Sequence, residues 1–150
     1  MELSLVEYGF KKVEEAEDML PGCSCLLKKQ TLYMNRAVCV VELSQLPENF
    51  SSFIFQLRRK VAFKIRFIPI FYVVGIQVII VCPNIASAVI DPSKYVAKFD
   101  NQWAIIQSLF LVDPMSKTFV QARSWGQFVT GEYQESISRQ LSLNYMLVGI

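Results

Sequence analysis

The chain has 150 residues and a net charge of +2; 53% of its residues are hydrophobic and 19% are charged. This length and composition predict a single globular domain, residues 1–150, with a well-packed core. A net charge this small argues against a general affinity for polyanions. The chain contains no histidine, which excludes the Ser-His-Asp and Cys-His catalytic arrangements.

The first third of the chain predicts a helix followed by a hairpin. Residues 3–19 place apolar side chains at helical spacing, and the Pro-Gly pair that follows ends this pattern. Residues 23–33 and 37–43 then predict two strands, joined by an Asn-Arg turn at 35–36.

Residues 47–66 predict a long helix that packs on a sheet. Its apolar residues recur at intervals of three or four. They are Phe50, Ile54, Leu57, Val61 and Ile65. Three further phenylalanines widen the apolar surface beyond one side of the helix: Phe53, Phe55 and Phe63. A helix this apolar needs a second layer or a second subunit to cover it.

Residues 67–90 contain no charged side chain, so this stretch lies either in a membrane or in a core. Its centre, 73–82, is rich in β-branched residues and lies between two prolines, which favours a strand buried on both faces. Gln77 is the sole polar side chain of that strand, and Gly75 indicates a bend or a close approach of another backbone. We therefore expect no membrane association.

The last third of the chain predicts a short helix, a second hairpin and a final helix. The short helix covers 92–99, the hairpin strands cover 103–112 and 118–125, and the final helix covers 130–141. The apolar tail that follows, 142–150, needs a surface on which to dock.

Together these elements predict an α+β fold with mixed α/β layers. Its centre is a mostly antiparallel sheet of about five strands, built from two hairpins and the buried core strand. The long helix packs on this sheet, and terminal helices stand at both ends of the chain. No repeat, linker or change of composition divides the sequence, so one domain is expected.

Four cysteines, Cys23, Cys25, Cys39 and Cys82, allow two interpretations. Without an export signal, reduced buried thiols in a cytoplasmic protein are expected. A four-thiolate zinc site is the alternative, although the spacing matches none of the usual zinc patterns. Cys23 and Cys25 are expected on one face of a strand, because side chains alternate along it. The sequence therefore predicts neither a metal nor a cofactor.

The order of helix, strands, helix and strand resembles the restriction-endonuclease-like arrangement. In that family an Asp at the end of one strand and a Glu-x-Lys on the next strand hold magnesium. Here Glu42 lies in the corresponding segment, but Ser44 stands where lysine is needed and residues 21–41 contain no Asp. The resemblance implies a catalytically inactive relative of that fold, and the absence of a complete catalytic motif argues against an enzyme.

The long helix also carries a concentrated basic cluster. Its members are Arg58, Arg59, Lys60, Lys64 and Arg66. No acidic residue occurs between Asn49 and Ile90, so neighbouring residues in the sequence do not neutralise the cluster. Such a cluster is typical of phosphate contacts with nucleic acid, and equally of a solvated helix face.

Two hypotheses for function follow. The first is a non-catalytic intracellular protein that acts through self-association, as a homodimer, or through a protein partner. The low charge, the apolar helix 47–66 and the apolar tail 142–150 favour it. The second is nucleic-acid binding through the basic residues 58–66. The sequence identifies neither a specific activity nor a specific partner.

Overall fold

The computed structural model describes residues 4–18, 21–31, 34–65, 73–85, 88, 90–96, 104–124 and 132–148. These residues form one seven-stranded mixed sheet and two helices, an α+β fold. The strands are β1 (Lys11–Lys12), β2 (Cys23–Gln30), β3 (Met34–Glu42), β4 (Val73–Val81), β5 (Ala104–Asp113), β6 (Thr118–Arg123) and β7 (Met146–Leu147). The helices are α1 (Phe50–Ile65) and α2 (Glu132–Ser142), and single 3-10 turns cover Val6–Tyr8 and Pro92–Lys94.

The strands lie in the sheet in the same order as in the chain. β1–β2, β2–β3 and β5–β6 are antiparallel, whereas β3–β4, β4–β5 and β6–β7 are parallel. The prediction of a mostly antiparallel sheet of about five strands is therefore wrong, because the sheet has seven strands and half of its strand pairs are parallel. Each parallel pair needs a crossover connection; α1 supplies one between β3 and β4, and α2 supplies one between β6 and β7.

Helix α1 covers one face of the sheet and confirms the helix predicted for residues 47–66. Asn49 caps its start, because the Asn49 side-chain oxygen accepts a hydrogen bond from the Ser52 backbone N–H at 2.9 Å. The whole predicted stripe is buried against the sheet: Phe50, Ile54, Leu57, Val61 and Ile65. Periodic apolar spacing therefore located the packed face of this helix correctly.

The core strand predicted for residues 73–82 is confirmed as β4. Val78 and Ile80 pack in the cluster beneath α1, and Ile79 packs in the cluster beneath α2, so both faces of the strand are covered. β4 is hydrogen-bonded on both sides, to β3 and to β5. Among the described residues, no helix has the length and hydropathy needed to cross a membrane.

Residues 4–18, the described part of the N-terminal helix predicted for residues 3–19, do not form that helix. Gly9 adopts a φ of 77° and ends a single 3-10 turn, after which Lys11 pairs with Lys28 of β2. Phe10 packs in the cluster beneath α2, whereas Val13 packs in the cluster beneath α1. The apolar residues that suggested one helix face thus follow a chain that passes around the edge of the sheet.

The C-terminal third agrees better with its predicted elements. Helix α2 confirms the predicted helix 130–141, and β5 with β6 confirms the second hairpin. The Asp113 carboxylate holds the hairpin turn by accepting hydrogen bonds from the backbone N–H groups of Met115 at 2.9 Å and Ser116 at 3.2 Å. The predicted helix 92–99 is represented by the turn Pro92–Lys94, capped by Asp91; residues 97–99 lie outside the described part.

The apolar tail docks on the edge of the sheet as β7. The Met146 backbone N–H donates to the Lys117 carbonyl at 2.7 Å, and the Val148 N–H donates to the Phe119 carbonyl at 2.9 Å. The side chains of Met146 and Val148 nevertheless stay exposed, at 68% and 42% of their surface. The tail is therefore held by its backbone more than by burial of its side chains.

A basic cleft and a buried polar layer

The basic residues predicted to form one cluster on the long helix lie on different surfaces of α1. Successive helical residues are rotated by about 100° from one another, so consecutive basic residues cannot share one face. Arg58 lines a groove on one flank of the helix, and Lys64 lines a cleft on the other flank. Arg59 and Lys60 are exposed between these flanks, and Arg66 lies outside the described residues.

The cleft beside Lys64 has a volume of about 340 Å³ and lies where β2 ends and β3 begins. Five basic side chains from four elements line it, and we call these residues and their surroundings the basic cleft. They are Lys11 of β1, Lys28 and Lys29 of β2, Arg36 of β3, and Lys64 of α1. No carboxylate lies among the described residues that line this cleft.

Strand register forces like charges together in the basic cleft. Lys11 lies directly opposite Lys28 across the β1–β2 pair, and Lys29 lies directly opposite Arg36 across the β2–β3 pair. Like charges at directly opposite positions destabilise an antiparallel pair by about 0.2–1 kcal/mol. The fold therefore tolerates two such cationic pairs at one end of the sheet, with Lys11 and Lys28 on the α1 face and Lys29 and Arg36 on the α2 face, because side chains alternate along a strand.

Acidic residues gather at the opposite end of the sheet. β3 and β5 run away from the basic cleft and end with Glu42 and Asp113, respectively. At that same end, Glu17 lies near Cys23, the first residue of β2. The net charge of +2 thus conceals a separation of charge along the strands, with the cationic end at the cleft.

Beneath α2, next to the basic cleft, five polar side chains form a layer within the core. They are Arg36, Gln77, Gln107, Ser108 and Tyr133. Gln77, Gln107 and Ser108 have no exposed surface, and Tyr133 is 2% exposed. The amide atoms of Gln77, the Oγ of Ser108 and the Nε of Arg36 have no hydrogen-bond partner among the described residues. Such buried, unpartnered groups are costly in a folded protein.

Tyr133 lies at the centre of the polar layer. Its hydroxyl donates to the Gln107 Oε1 at 3.4 Å, and the Arg36 guanidinium carbon lies 5.4 Å from the centre of its ring. Burial raises the pKa of the Tyr133 phenol, and the positive charge of Arg36 partly opposes that shift. Arg36 therefore connects the basic cleft to the buried layer, since it belongs to both.

The cysteines lie on both faces of the sheet. An irregularity between Cys23 and Cys25 places Cys23 beneath α1 and Cys25 on the α2 side, so the prediction of a shared face is wrong. The Sγ atoms of Cys23 and Cys39 lie 3.9 Å apart. A hydrogen bond with Cys39 lowers the pKa of the Cys23 thiol, and the same contact together with burial raises the pKa of Cys39. Among the described residues, no group of three potential metal ligands occurs.

Glu42, the residue of the restriction-endonuclease-like comparison, is the exposed last residue of β3. The first helix of that element order is absent, since residues 6–12 form a 3-10 turn and β1. The described structure therefore adds no support to that resemblance. Comparison of the whole chain with protein-family models, curated proteins and solved structures finds no significant match.

Sequence reasoning identified Lys64 but not the other residues of the basic cleft. Lys11, the Lys28–Lys29 pair and Arg36 belong to three different strands and meet only through strand pairing. A signal was present, because both β1 and β2 contain a Lys-Lys pair. A lysine pair on a strand is ordinarily protection against edge pairing, so this signal alone does not indicate a ligand site.

Proposed function

We propose that the protein binds nucleic acid and holds its backbone phosphates in the basic cleft. The observation that carries this proposal is the pair of directly opposed cationic contacts, Lys11 with Lys28 and Lys29 with Arg36. Each contact costs stability in the free protein. Phosphate oxygens between the opposed side chains would turn that repulsion into attraction, because they place negative charge between two cations.

The experiment that tests this proposal measures binding against salt. Labelled oligonucleotides are titrated with wild-type protein and with Lys28→Gln/Lys29→Gln. Each lost phosphate contact lowers the slope of log affinity against log salt by about 0.7–0.9, so the double variant should lose about 1.4–1.8 from its slope. The control, Lys117→Gln/Arg139→Gln, removes the same charge from exposed positions outside the cleft and should keep the wild-type slope.

Two results would contradict the proposal. One is the absence of any binding by the wild-type protein at low salt. The other is competition by inorganic phosphate at equal phosphate concentration, which would assign the basic cleft to a small anion instead of a polymer. Loss of folding is not expected in the cleft variant, because Lys28 is exposed and Lys29 is half-buried, and because the substitutions remove repulsion.

A second candidate function is self-association through the C-terminal edge of the sheet. Leu143, Met146, Leu147 and Val148 are all exposed large apolar side chains and lie within six residues of one another. Such a group on an edge strand favours contact with a second copy. Light scattering at micromolar concentration should give twice the 17.2 kDa of the chain.

Substitutions on this edge give the matching test of self-association. Leu147→Lys should return the protein to the monomer mass, because a buried lysine at the contact would lose its hydration. Phe63→Lys, at an exposed position of α1 away from β7, should leave the mass unchanged. A wild-type protein that scatters as a monomer would remove this candidate.

A further inference from the structure

The outer surface of α1 presents aromatic rings next to the basic cleft. Phe63 is 85% exposed and Phe55 is 50% exposed, although both belong to a helix whose other face is packed on the sheet. Residues four positions apart lie above one another on a helix, so Phe55, Arg59 and Phe63 form one stripe. Phe63 directly precedes Lys64, which lines the basic cleft.

Cationic side chains alternate with these rings around the helix. At about 100° per residue, the order from the basic cleft is Lys64, Lys60, Phe63, Arg59, Phe55 and Arg58. The guanidinium carbons of Arg58 and Arg59 lie 5.3 Å and 5.7 Å from the centre of the Phe55 ring. The positive charges are thus held against an aromatic face that is still half-exposed.

A second, smaller groove lies beside Phe55 and Arg58, the last two residues of this order. It has a volume of about 190 Å³ and is lined by Phe55 and Arg58 of α1 together with Lys94 of the 3-10 turn and Tyr95, which follows that turn. The basic cleft, the outer surface of α1 and this groove form a band, and among the described residues that line the cleft and the groove every charged side chain is cationic. We call it the cationic-aromatic band.

We propose that the cationic-aromatic band binds single-stranded nucleic acid, with bases stacked on Phe63 and Phe55. This inference rests on the proposed function and specifies its ligand. Aromatic rings between cationic side chains bind a single strand well, because its bases expose their faces and its phosphates contact the cations. In a duplex the faces of the bases are already stacked on one another, so the exposed rings would gain no such contact.

The test compares one labelled oligonucleotide as a single strand and as a duplex with its complement, by fluorescence anisotropy at fixed salt. We expect the single strand to bind at least tenfold more tightly. Phe63→Ala and Phe55→Ala should each weaken binding of the single strand by about five- to hundredfold, the range found for base-stacking residues. Neither should change the salt slope, because neither removes a charge.

Met115→Ala is the control, since Met115 is exposed to a similar degree at a turn outside the band. Phe63 is exposed, so its substitution should leave the circular dichroism spectrum unchanged. Equal binding of duplex and single strand, or unchanged affinity in both phenylalanine variants, would overturn the inference while leaving the basic cleft as a nucleic-acid site. Failure of the wild-type protein to bind either form would overturn both.

Discussion

The side chain of Gln107 on β5 occupies the space that a side chain at Gly75 on β4 would need. A Cβ added at Gly75 would lie 2.6 Å from the Cδ and Oε1 atoms of Gln107. The contact exists because the β4–β5 register shifts after Ile76, so that Gln77 is paired with Ser108 and Gln107 becomes the additional residue. The glycine therefore leaves room for a buried glutamine side chain, whereas the sequence indicates a bend or a close approach of another backbone.

The first prediction is that Gly75→Ala destabilises the fold and that a change at Gln107 removes the effect. The new methyl group needs space that Gln107 occupies, and a fully buried Gln107 cannot turn into solvent. Overpacking of this kind costs about 1–3 kcal/mol in the free energy of unfolding. In a Gln107→Ala background the cost should fall below half of that value. Urea denaturation of the four proteins measures this coupling, and equal costs in both backgrounds would contradict it.

The second prediction is that Gln77→Met stabilises the protein. Both side-chain amide atoms of Gln77 lack a well-formed hydrogen bond among the described residues, although the amide lies close enough to the Tyr133 hydroxyl to act against the rise in the pKa of that phenol, and Gln77 has no exposed surface. An unsatisfied buried polar group costs about 1–3 kcal/mol, and methionine has a similar length without that penalty. The chemical denaturation midpoint should therefore rise. Val78→Ala on the same strand is the control and should lower it, because it leaves a cavity.

The third prediction compares two glycines that share a positive φ. Gly9 has a φ of +77° and Gly22 a φ of +83°, so alanine is strained at both. A Cβ at Gly22 would lie 2.5 Å from the Glu42 carbonyl oxygen, whereas a Cβ at Gly9 would meet only the end of the Lys29 side chain at 3.8 Å. Gly9→Ala should cost about 1 kcal/mol and Gly22→Ala clearly more. Equal losses of unfolding free energy would contradict the contact at Glu42.

The fourth prediction concerns stability at alkaline pH. Burial raises the pKa of Tyr133, so the folded state favours the neutral phenol. This contribution to stability is complete below the unfolded pKa of about 10 and is lost as the pH rises through the higher folded value. In Tyr133→Phe, the free energy of unfolding should therefore fall less between pH 9 and pH 11 than in the wild type. Tyr145→Phe, at a half-buried position near β7, controls for the loss of a phenol. Parallel pH profiles of wild type and Tyr133→Phe would contradict the prediction.

The fifth prediction separates stability from binding at the basic cleft. Lys29→Gln removes one member of the Lys29–Arg36 pair, so the variant should be more stable by about 0.2–1 kcal/mol. The same substitution should weaken nucleic-acid binding if phosphates occupy the cleft. Thermal denaturation and an oligonucleotide titration on one preparation measure both effects. A less stable variant would show that Lys29 has a structural partner instead of a repulsive one.

Local patterns in the sequence were sufficient for the elements whose buried side chains follow the regular pattern of a single helix or strand. The spacing of Phe50, Ile54 and Leu57, at intervals of four and three residues, located α1, and the uncharged β-branched run located β4. These patterns succeed because burial of apolar side chains at a fixed period dominates the choice between helix and strand. The same reasoning gave a wrong prediction for the N-terminal segment, because Phe10 and Val13 are buried on opposite faces of the sheet, near its edge.

Pairing between strands determined which face of the sheet some side chains occupy, and the sequence alone could not predict this. Whether Cys23 and Cys25 share a face depends on a bulge, and whether Gly75 faces a backbone or a side chain depends on the β4–β5 register. Neither has a local signature, because a register shift of one residue exchanges the faces without changing the apolar pattern of the strand.

The sequence by itself determined the α+β class, the packed face of α1 and the burial of β4, since each follows from the spacing of side chains along a single segment. Tertiary structure alone decided the parallel direction of β3–β4–β5 and the assembly of the basic cleft. The lysines at 11, 28 and 64 belong to segments that no periodicity connects. Only the register of β1 on β2 and the end point of α1 bring their charges to one place, because electrostatic interaction depends on distance in space and not on distance along the chain.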